Sequence, residues 1–529
     1  MLGEMFAKKI QYGLKVKKLK TMSTKVLLFD DQYTENKHGF KTTLNPARRI
    51  DGAVLYPDQP WECAGFCGDS GMTVLKEDGI YKMWYMISNP EPETPKDGKA
   101  TQLEMANLDL QNVPKKFMAD ISCSSRYYLC YATSNDGVVW KKDHLGVYEV
   151  LGNKNNNIVF SGRLSATVFI DPTTAPDKKY KMIHGGSIRL PHWHKQQNKF
   201  IRMAYTGIYG AYSADGIHWQ STEKPIIPWY TDTTNVCYWD ERIKKYVAYV
   251  RVDKDMIYDS GKTLMLGPGH DTYRLIARTE SDDFENFPPP QIILEPRPEE
   301  VENYLKDYGK GIEDKGLDFY NTAAIKYPFS EGVYLLFPSY LYHESDTAEV
   351  HIATSRDGIH YTRHDEPFVR LGEPGAFDKK QMYMAAGMIK EQGRLSMYYV
   401  GYDCTHGATA NDYKGAIGRV GFRLDGFGSQ DAGNTESIYT TVPIKVTGSC
   451  INLNVETLQD GFVKVALLMP SGEGIPGKTF EDADVITGEH HDARVSWQGS
   501  SDVTSLIGQD VKICFVGKSV KLYSFEFSS

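Results

Sequence analysis

The sequence has no apolar run long enough to cross a membrane as a helix. Such a span needs about 18–20 consecutive, mostly apolar residues, and polar residues interrupt every stretch of this chain sooner. Residues 1–24 are rich in lysine and lack the apolar core of a secretory signal peptide. As written, the sequence predicts a cytoplasmic protein with a flexible basic N-terminal segment. A misassigned or processed N-terminus would predict a periplasmic or secreted one.

The chain also lacks an excess of positive charge. Its formal net charge is −8, with 60 Lys and Arg against 68 Asp and Glu. Nucleic-acid binding proteins need a basic face to contact phosphates, so no nucleic-acid partner is expected. Nothing in the sequence indicates an oligomeric state.

A metal or cofactor site is equally hard to find. Cys63 and Cys67 lie close together, but no second close cysteine pair with histidine partners follows them, and a zinc site needs about four ligands. His192 and His194 stand in a basic insertion, where a lone His-x-His pair is more typical of a solvated loop. We therefore predict free cysteines, no metal and no cofactor.

No stretch predicts a helix longer than about three turns. The chain instead repeats the pattern Ser-x-Asp-Gly-x-x-aromatic about every 70 residues, and such a period indicates a repeat architecture. In each copy a short alternating strand leads into a turn, because Asp caps the turn and Gly accepts positive φ. The five central aspartates are Asp136, Asp215, Asp283, Asp357 and Asp425.

A strand hairpin precedes each copy of the repeat, so each unit holds about four strands, which is one propeller blade. We predict an all-β chain in which residues 25–427 form a five-bladed β-propeller, and we expect this propeller to be the catalytic domain. After a Gly/Ser/Asn-rich linker at 428–437, short alternating strands predict a β-sandwich accessory domain at 438–529. The competing interpretation is a set of unrelated hairpins, since Asp-Gly turns are common.

Aligning the units on their first hairpin turn brings a set of polar residues into register. The residue eight positions before that turn is Asp69, Arg163, Asp232 and Asp318 in the first four units. In the fifth it is Met382, with Asp378 just upstream. These positions begin the innermost strands of a propeller, so the side chains are expected to converge on one mouth of its central funnel.

Converging carboxyl groups suit glycoside hydrolysis, which needs a protonated acid at the leaving oxygen and a carboxylate as nucleophile or base. Crowded like charges keep one carboxyl protonated near neutral pH. Asp69, Asp232 and Asp318 are the predicted catalytic residues. The alternative is that these aspartates cap turns at strand starts. Aromatic residues nearby offer faces on which sugar rings stack: Trp61, Tyr230, Tyr320 and Tyr383.

Several stretches resemble the five-bladed β-propeller glycosidases of the superfamily of families 32, 43, 62 and 68. More closely, they resemble the family 32 N-terminal-like proteins of polysaccharide-degrading bacteria. The resemblance covers residues 25–427. It is carried, besides the repeats, by Leu27–Asp31, Pro60–Glu62, Tyr81–Tyr85 and Asn235–Asp240.

The resemblance implies a propeller fold and a carbohydrate substrate, but two family motifs are missing. No Trp-Met-Asn-Asp-Pro sequence occurs, and Ile170 replaces the arginine of Arg-Asp-Pro before Asp171. Asp171 is instead aligned with the turn residues Glu77 and Asp240 and predicted to be structural. Fructosidase activity is therefore not expected.

Together these observations predict a glycoside hydrolase that acts on a plant or microbial oligosaccharide or polysaccharide. The alternatives are a non-catalytic carbohydrate-binding propeller and a propeller scaffold for protein partners. The predicted substrate-binding residues are Trp61, Glu62, Arg163, Asn235, Tyr320 and Asp378.

Overall fold

A computed structural model of the chain describes residues 25–90, 127–162, 165–194, 199–227, 229, 233–253, 256–259, 262–265, 273–301, 316–408 and 414–528. The regular secondary structure of these residues is almost entirely β-strand, as predicted. Helical turns of three residues occur at Pro60–Glu62, Gly68–Ser70, Pro176–Lys178 and Thr504–Leu506, and residues 298–301 are also helical. In the part of the chain that is described, no helix has the length and apolar character of a membrane span.

The strands of the first half of the chain are short and mostly paired antiparallel. In chain order they are β1 (Lys25–Leu27), β2 (Thr34–His38), β3 (Phe40–Leu44), β4 (Arg48–Arg49), β5 (Met72–Glu77), β6 (Ile80–Ser88), β7 (Tyr127–Ser134), β8 (Ile158–Gly162), β9 (Thr167–Ile170), β10 (Tyr180–His194), β11 (Lys199–Ser213), β12 (Gln220–Ile227), β13 (Val236–Asp240), β14 (Lys245–Asp253), β15 (Met256–Asp259), β16 (Lys262–Met265), β17 (Arg274–Ser281) and β18 (Gln291–Leu294).

The second half ends in two strands of 19 residues. Its strands are β19 (Leu317–Lys326), β20 (Tyr334–Tyr342), β21 (Thr347–Val350), β22 (Ala353–Ser355), β23 (Thr362–Arg363), β24 (Gln381–Met384), β25 (Ile389–Glu391), β26 (Arg394–Tyr402), β27 (Ala416–Arg423), β28 (Gly428–Ala432), β29 (Ser437–Thr441), β30 (Ile444–Lys445), β31 (Cys450–Leu468), β32 (Glu489–Arg494) and β33 (Asp510–Ser528).

The chain divides into two compact units whose bounds differ from the predicted domains. Among the described residues, the smaller unit comprises residues 25–43, Pro328–Glu331 and residues 428–528. The predicted linker at 428–437 contains β28, which pairs with β33, and the N-terminal strand β1 pairs with β33 as well. The Gly/Ser/Asn-rich composition did not prevent a strand from forming here, because the backbone of β28 forms hydrogen bonds with β33.

The smaller unit is built around β33. Its sheet has the order β2-β29-β33-β28-β3, and β1, β30 and β31 also pair with β33. Alternating apolar residues of these strands form one core, which includes Phe40, Tyr439, Trp497 and Phe515. Period-2 alternation is therefore sufficient to explain why one face of each strand is buried.

The larger unit, residues 44–327 and 332–427, consists of antiparallel four-stranded sets. The sets are β5-β6-β7-β8, β9-β10-β11-β12, β13-β14-β17-β18, β19-β20-β22-β23 and β24-β26-β27-β4. The last set takes its outer strand from the N-terminal side of the chain, since Arg49 of β4 pairs with Val420 of β27.

Hydrogen bonds, mostly at the first strands, link the five sets in a closed cycle. Thr73 bonds the backbone of β9 over 3.0 Å, and Thr167 of β9 donates to the Asn235 carbonyl over 2.5 Å. The cycle continues through Asn321 of β19 to Thr234, and through Ser339 of β20 to the Met382 carbonyl. It closes where the Val74 amide of β5 donates to the Ala386 carbonyl over 2.9 Å.

The repeated Asp-Gly turns have the conformation that the sequence predicts. In the turn at Asp215, Oδ1 accepts hydrogen bonds from the amides of Ile217 and His218, and Ser213 Oγ accepts from the Gly216 amide. The turns at Asp136 and Asp357 repeat this pattern, and Asp283 repeats part of it. Asp425 differs, because it is buried and accepts a hydrogen bond from Tyr327 over 2.6 Å.

Each complete turn also receives a hydrogen bond from a neighbouring set. An aromatic side chain on the second strand of that set donates to the carbonyl of the turn glycine. The pairs are Trp84 with Gly216 (2.7 Å), Tyr398 with Gly137 (2.8 Å) and Tyr249 with Gly358 (3.3 Å). A buried carbonyl requires such a partner, so the turns join adjacent sets.

A second repeated contact joins the hairpin turns. A tyrosine at the start of the second strand of one set donates to a carboxylate in the first hairpin turn of its neighbour. The pairs are Tyr180 with Glu77, Tyr246 with Asp171, Tyr334 with Asp240 and Tyr81 with Glu391. Asp171 is thus bound in a buried structural contact, which also includes Lys181.

Glu77 makes the stability of the larger unit depend on pH. Burial raises the pKa of the Glu77 carboxyl, but hydrogen bonds from Lys179, Lys82 and Tyr180 outweigh it and lower the pKa from 4.5 to about 2. A lowered native pKa stabilises the fold above the unfolded pKa, and this contribution is lost as the pH falls through the native value.

We therefore expect Glu77→Gln to lower the unfolding free energy by about 1.5–3 kcal/mol at pH 7, the range for hydrogen bonds to charged groups. The difference from the wild type should shrink between about pH 4.5 and pH 2, as measured by urea unfolding at each pH. Glu223→Gln, at an exposed position, serves as the control and should be neutral throughout. A difference that stays constant down to pH 2 would contradict this assignment.

Candidate active site around Asp69

Long connections mark one end of the larger unit. At the end where β5 begins, a long stretch of sequence separates Ser88, the last residue of β6, from Tyr127, the first residue of β7. On the same side β10 and β11 extend well beyond β9, and the connections from β14 to β17 and from β26 to β27 are long. The opposite end carries the tight Asp-Gly and hairpin turns. Functional side chains are concentrated on such long connections.

Asp69 lies at this end, in the turn Gly68–Ser70 that precedes β5. It is half-buried, and its carboxylate accepts hydrogen bonds from three side chains. Tyr320 donates to Oδ2 over 3.1 Å, while Ser70 (3.2 Å) and Cys67 (3.3 Å) donate to Oδ1. These three partners hold the Asp69 carboxylate in one orientation.

The backbone of Asp69 is held as firmly as its side chain. Its carbonyl accepts hydrogen bonds from the Thr234 amide (2.8 Å), from Thr233 Oγ1 (2.6 Å) and from Asn321 Nδ2 (3.3 Å). These donors come from the residues before β13 and from β19. Three sets of strands therefore fix the position of one aspartate.

Tyr320, which donates a hydrogen bond to Asp69, is surrounded by charged and aromatic side chains. Arg251 and Arg274 lie 5.3 and 5.1 Å from the centre of its ring. The ring of His406 packs edge-on against it, with centroids 4.5 Å apart, and Tyr383 lies 5.8 Å away. Cations near an aromatic ring are attracted to it, so both arginines help to hold the Tyr320 ring in place.

Asp318 is fully buried and committed to an ion pair. Its carboxylate accepts from the Arg274 amide over 2.9 Å, pairs with the Arg274 guanidinium, and lies 3.0 Å from His343 Nε2. Burial raises the pKa of Asp318, but the Arg274 charge and the His343 hydrogen bond lower it to about 2. Asp318 is thus ionised at neutral pH and cannot supply a proton there.

Trp61 and Glu62 lie inside a buried polar network instead of lining an open site. Trp61 is 6% exposed and its indole donates to Asn157 over 2.8 Å. Glu62 is fully buried and bonded to Lys142 (2.7 Å) and Tyr85 (2.6 Å). The Trp61 ring packs in the hydrophobic core, so neither of its faces is available to a sugar.

Some of the other predicted residues make buried structural contacts, and the rest lie outside the described residues. Asn235 is buried and donates to the Thr233 carbonyl over 2.9 Å. Asp378 is buried and bonded to Arg49 (2.6 Å) and Tyr399 (2.7 Å), which ties the set containing β24 to its outer strand β4. Asp232, Arg163 and Tyr230 lie outside the described residues. Of the predicted set, the structure brings Asp69, Tyr320 and Asp318 together.

Three residues of the site were missed by the sequence analysis: Arg251, Arg274 and His406. Arg251 and Arg274 stand near the end of β14 and at the start of β17, so the propeller alignment could have placed them at the same end as Asp69. His406 stands in an irregular connection after β26, where no period applies.

Comparisons with known proteins give neighbours of low similarity. No family model and no curated protein matches the sequence. Among solved structures, a glycoside hydrolase aligns with 72% of this chain and 92% of its own, at 14% identity and a TM-score of 0.41. A β-1,2-mannobiose phosphorylase from Listeria innocua aligns with 76% of this chain and 97% of its own, at 14% identity and a TM-score of 0.39. A glycosyl hydrolase from Bacteroides ovatus aligns with 71% and 94%, at 14% identity and a TM-score of 0.38. Likenesses at this level assign neither a family nor an activity to the chain.

The burial of Trp61 leads to a testable expectation. Trp61→Ala should lower the unfolding free energy by about 3–5 kcal/mol, the usual cost of removing a buried Trp, as measured by urea unfolding. Trp61→Phe keeps most of the packing but loses the hydrogen bond to Asn157, so its cost should be smaller. If Trp61→Ala left stability unchanged and weakened sugar binding, the ring would be a stacking platform after all.

Proposed function

We propose that this protein is a glycoside hydrolase that acts on a plant or microbial oligosaccharide or polysaccharide, with Asp69 as its central carboxylate. The observation that carries the proposal is the placement of Asp69. It is half-buried, accepts three side-chain hydrogen bonds and lies where three sets of strands meet, at the end with the long connections. A preorganised carboxylate of this kind suits the positive charge that develops at an anomeric carbon.

The proposal includes a five-bladed β-propeller followed by a β-sandwich. The closed cycle of hydrogen bonds between the sets supports the propeller, and the single core around β33 supports the sandwich. It also includes membership of the superfamily of glycosidase families 32, 43, 62 and 68, for which the repeats and the stretches around Trp61 and Tyr81 are the support.

The proposed roles differ among the three predicted carboxylates. Asp69 faces the anomeric carbon as the nucleophile or as the charge that stabilises it. Asp232 is the candidate for the general acid at the leaving oxygen. Asp318, which is ionised and bound to Arg274, holds that arginine beside Tyr320 and has no proton to donate. The three aspartates therefore have different proposed roles instead of being equivalent carboxylates around a funnel.

A non-catalytic carbohydrate-binding propeller is the second candidate. One observation favours it: among the described residues, Asp69 is the only predicted catalytic carboxylate that is not fully buried. Hydrolysis requires a second carboxyl group, so the choice between the two functions depends on Asp232.

The first experiment is a screen of the wild type against aryl glycosides and plant oligosaccharides. With a substrate in hand, Asp69→Asn should lower kcat by about 10²–10⁴, the usual effect of losing a catalytic group of this kind. Its KM should change little, because Asn keeps the size and part of the hydrogen bonding.

Asp136→Asn, in a tight turn at the opposite end, is the matched control and should retain wild-type turnover. Near-wild-type turnover in Asp69→Asn would refute the assignment of Asp69. Sugar binding without turnover in the wild type would identify the binding module instead.

A further inference from the structure

His406 lies against the residue that holds Asp69. It belongs to the connection between β26 and β27 and is half-buried. Its ring meets the Tyr320 ring edge-on at 4.5 Å between centroids, and Tyr320 donates to Asp69 over 3.1 Å. An imidazole and a carboxylate therefore share one tyrosine at the end of the unit that carries the long connections.

The segment that carries His406 is pinned by its backbone. The His406 amide donates to the Asp346 carbonyl over 3.0 Å, and the Gly407 amide donates to Asp346 Oδ2 over 2.7 Å. Gln381 Nε2 donates to the Cys404 carbonyl over 2.7 Å. Three bonds within four residues fix the position of an otherwise irregular loop, which is what a catalytic side chain on a loop requires.

A tyrosine hydroxyl also lies beside the ring of His406. The Tyr383 hydroxyl donates its hydrogen to Gln381 Oε1 over 2.7 Å, and its oxygen lies 3.5 Å from His406 Nδ1. A neutral imidazole has one ring nitrogen that can accept a proton.

Burial, together with two nearby positive charges, keeps the His406 ring neutral at neutral pH. Burial lowers the pKa of His406 below 6.5, and the positive charges of Arg274 and Arg251 lower it further, while Asp69 and Asp346 oppose the shift. The uncharged groups packed nearby are the Tyr320 and Tyr383 rings. The result is a base that is in its active form under ordinary conditions.

We propose that His406 is a further catalytic residue of the Asp69 site, whose imidazole takes the proton of the water that attacks the anomeric carbon. Asp346, Tyr383 and Gln381 are its positioning residues. The inference rests on the proposed glycoside hydrolysis and assigns the base of that reaction, which the sequence analysis sought among the carboxylates.

The step balances with the groups already named. The water oxygen forms a bond to the anomeric carbon while its proton passes to the His406 imidazole, and the bond from that carbon to its leaving group breaks. The glycosidic oxygen takes its proton from the general acid of the proposed function. The Asp69 carboxylate stabilises the positive charge on the anomeric carbon. Solvent then returns the proton from His406 to the acid.

The test compares His406→Gln with the wild type on the substrate found in the screen. Gln retains a hydrogen-bonding side chain but does not titrate, so kcat should fall by about 10²–10⁴ with KM little changed. The wild type should lose activity as the pH falls through the His406 pKa, below 6.5, because the protonated ring cannot accept a proton. In His406→Gln this acid limb should be absent.

Two further variants separate catalysis from positioning. Asp346→Ala removes the acceptor of the Gly407 amide and should lower kcat while the acid limb remains, whereas Asp346→Asn keeps an oxygen there and should restore most of the rate. His360→Gln, at an exposed turn position, is the histidine control and should match the wild type in rate and in pH profile.

The outcomes distinguish this inference from the proposed function. If Asp69→Asn abolishes turnover but His406→Gln has wild-type kcat or keeps the acid limb, the His406 assignment alone is refuted. If the wild type hydrolyses no glycoside, or if Asp69→Asn is fully active, the proposed function fails and the assignment of His406 fails with it. Loss of both kcat and the acid limb in His406→Gln, with unchanged unfolding free energy, supports the proposal.

Discussion

The larger unit depends on hydrogen bonds that cross from one four-stranded set to the next. A tight Asp-Gly turn leaves the carbonyl of its glycine pointing away from its own strand, and a buried carbonyl without a partner is costly. Trp84 supplies that partner for Gly216 from the neighbouring set. Because the same contact recurs with tyrosines elsewhere, local turn chemistry is converted into a repeated bond between sets, reinforced by the tyrosine–carboxylate pairs.

Close approach of the first strands is the other requirement, and it is met by glycine. Gly71 follows the Asp69 turn with φ of +109°, and a Cβ there would lie 2.5 Å from the Ala166 carbonyl oxygen. Gly387 has the same relation to Val74, with φ of +105° and a Cβ distance of 2.0 Å. Any other side chain would push the strands apart. The packing of the sets therefore determines the position of Asp69 and makes its surroundings rigid.

Periodic features of the fold could be predicted from the sequence, whereas pairings between distant residues could not. The turns at Asp136, Asp215 and Asp357 were predictable because Ser, Asp and Gly each have a local role there. Counting back from the hairpin turns also placed Asp69 and Asp318 near each other. The same counting could not show that Asp318 is bound by Arg274 of the neighbouring set, because that pairing depends on tertiary packing rather than on local sequence.

Aromatic and irregular positions were the least predictable parts of the site. Trp61 is a residue type on which sugar rings stack, yet its indole donates to Asn157 and its ring packs in the core. Tyrosine and tryptophan serve both purposes with the same atoms, so only burial distinguishes them. His406 has no periodic neighbour at all, and its role depends on the three bonds that pin its loop.

The buried pair of Asp318 and Arg274 shows how charge can serve position rather than chemistry. Two buried charges gain little net stability, because the desolvation they suffer offsets their attraction. Their value here lies in geometry: Asp318 is bonded to both the amide and the guanidinium of Arg274, and Arg274 lies 5.1 Å from the centre of the Tyr320 ring. Tyr320 in turn donates to Asp69. The buried carboxylate of Asp318 thus helps, through an arginine and a tyrosine, to orient the half-buried carboxylate of Asp69.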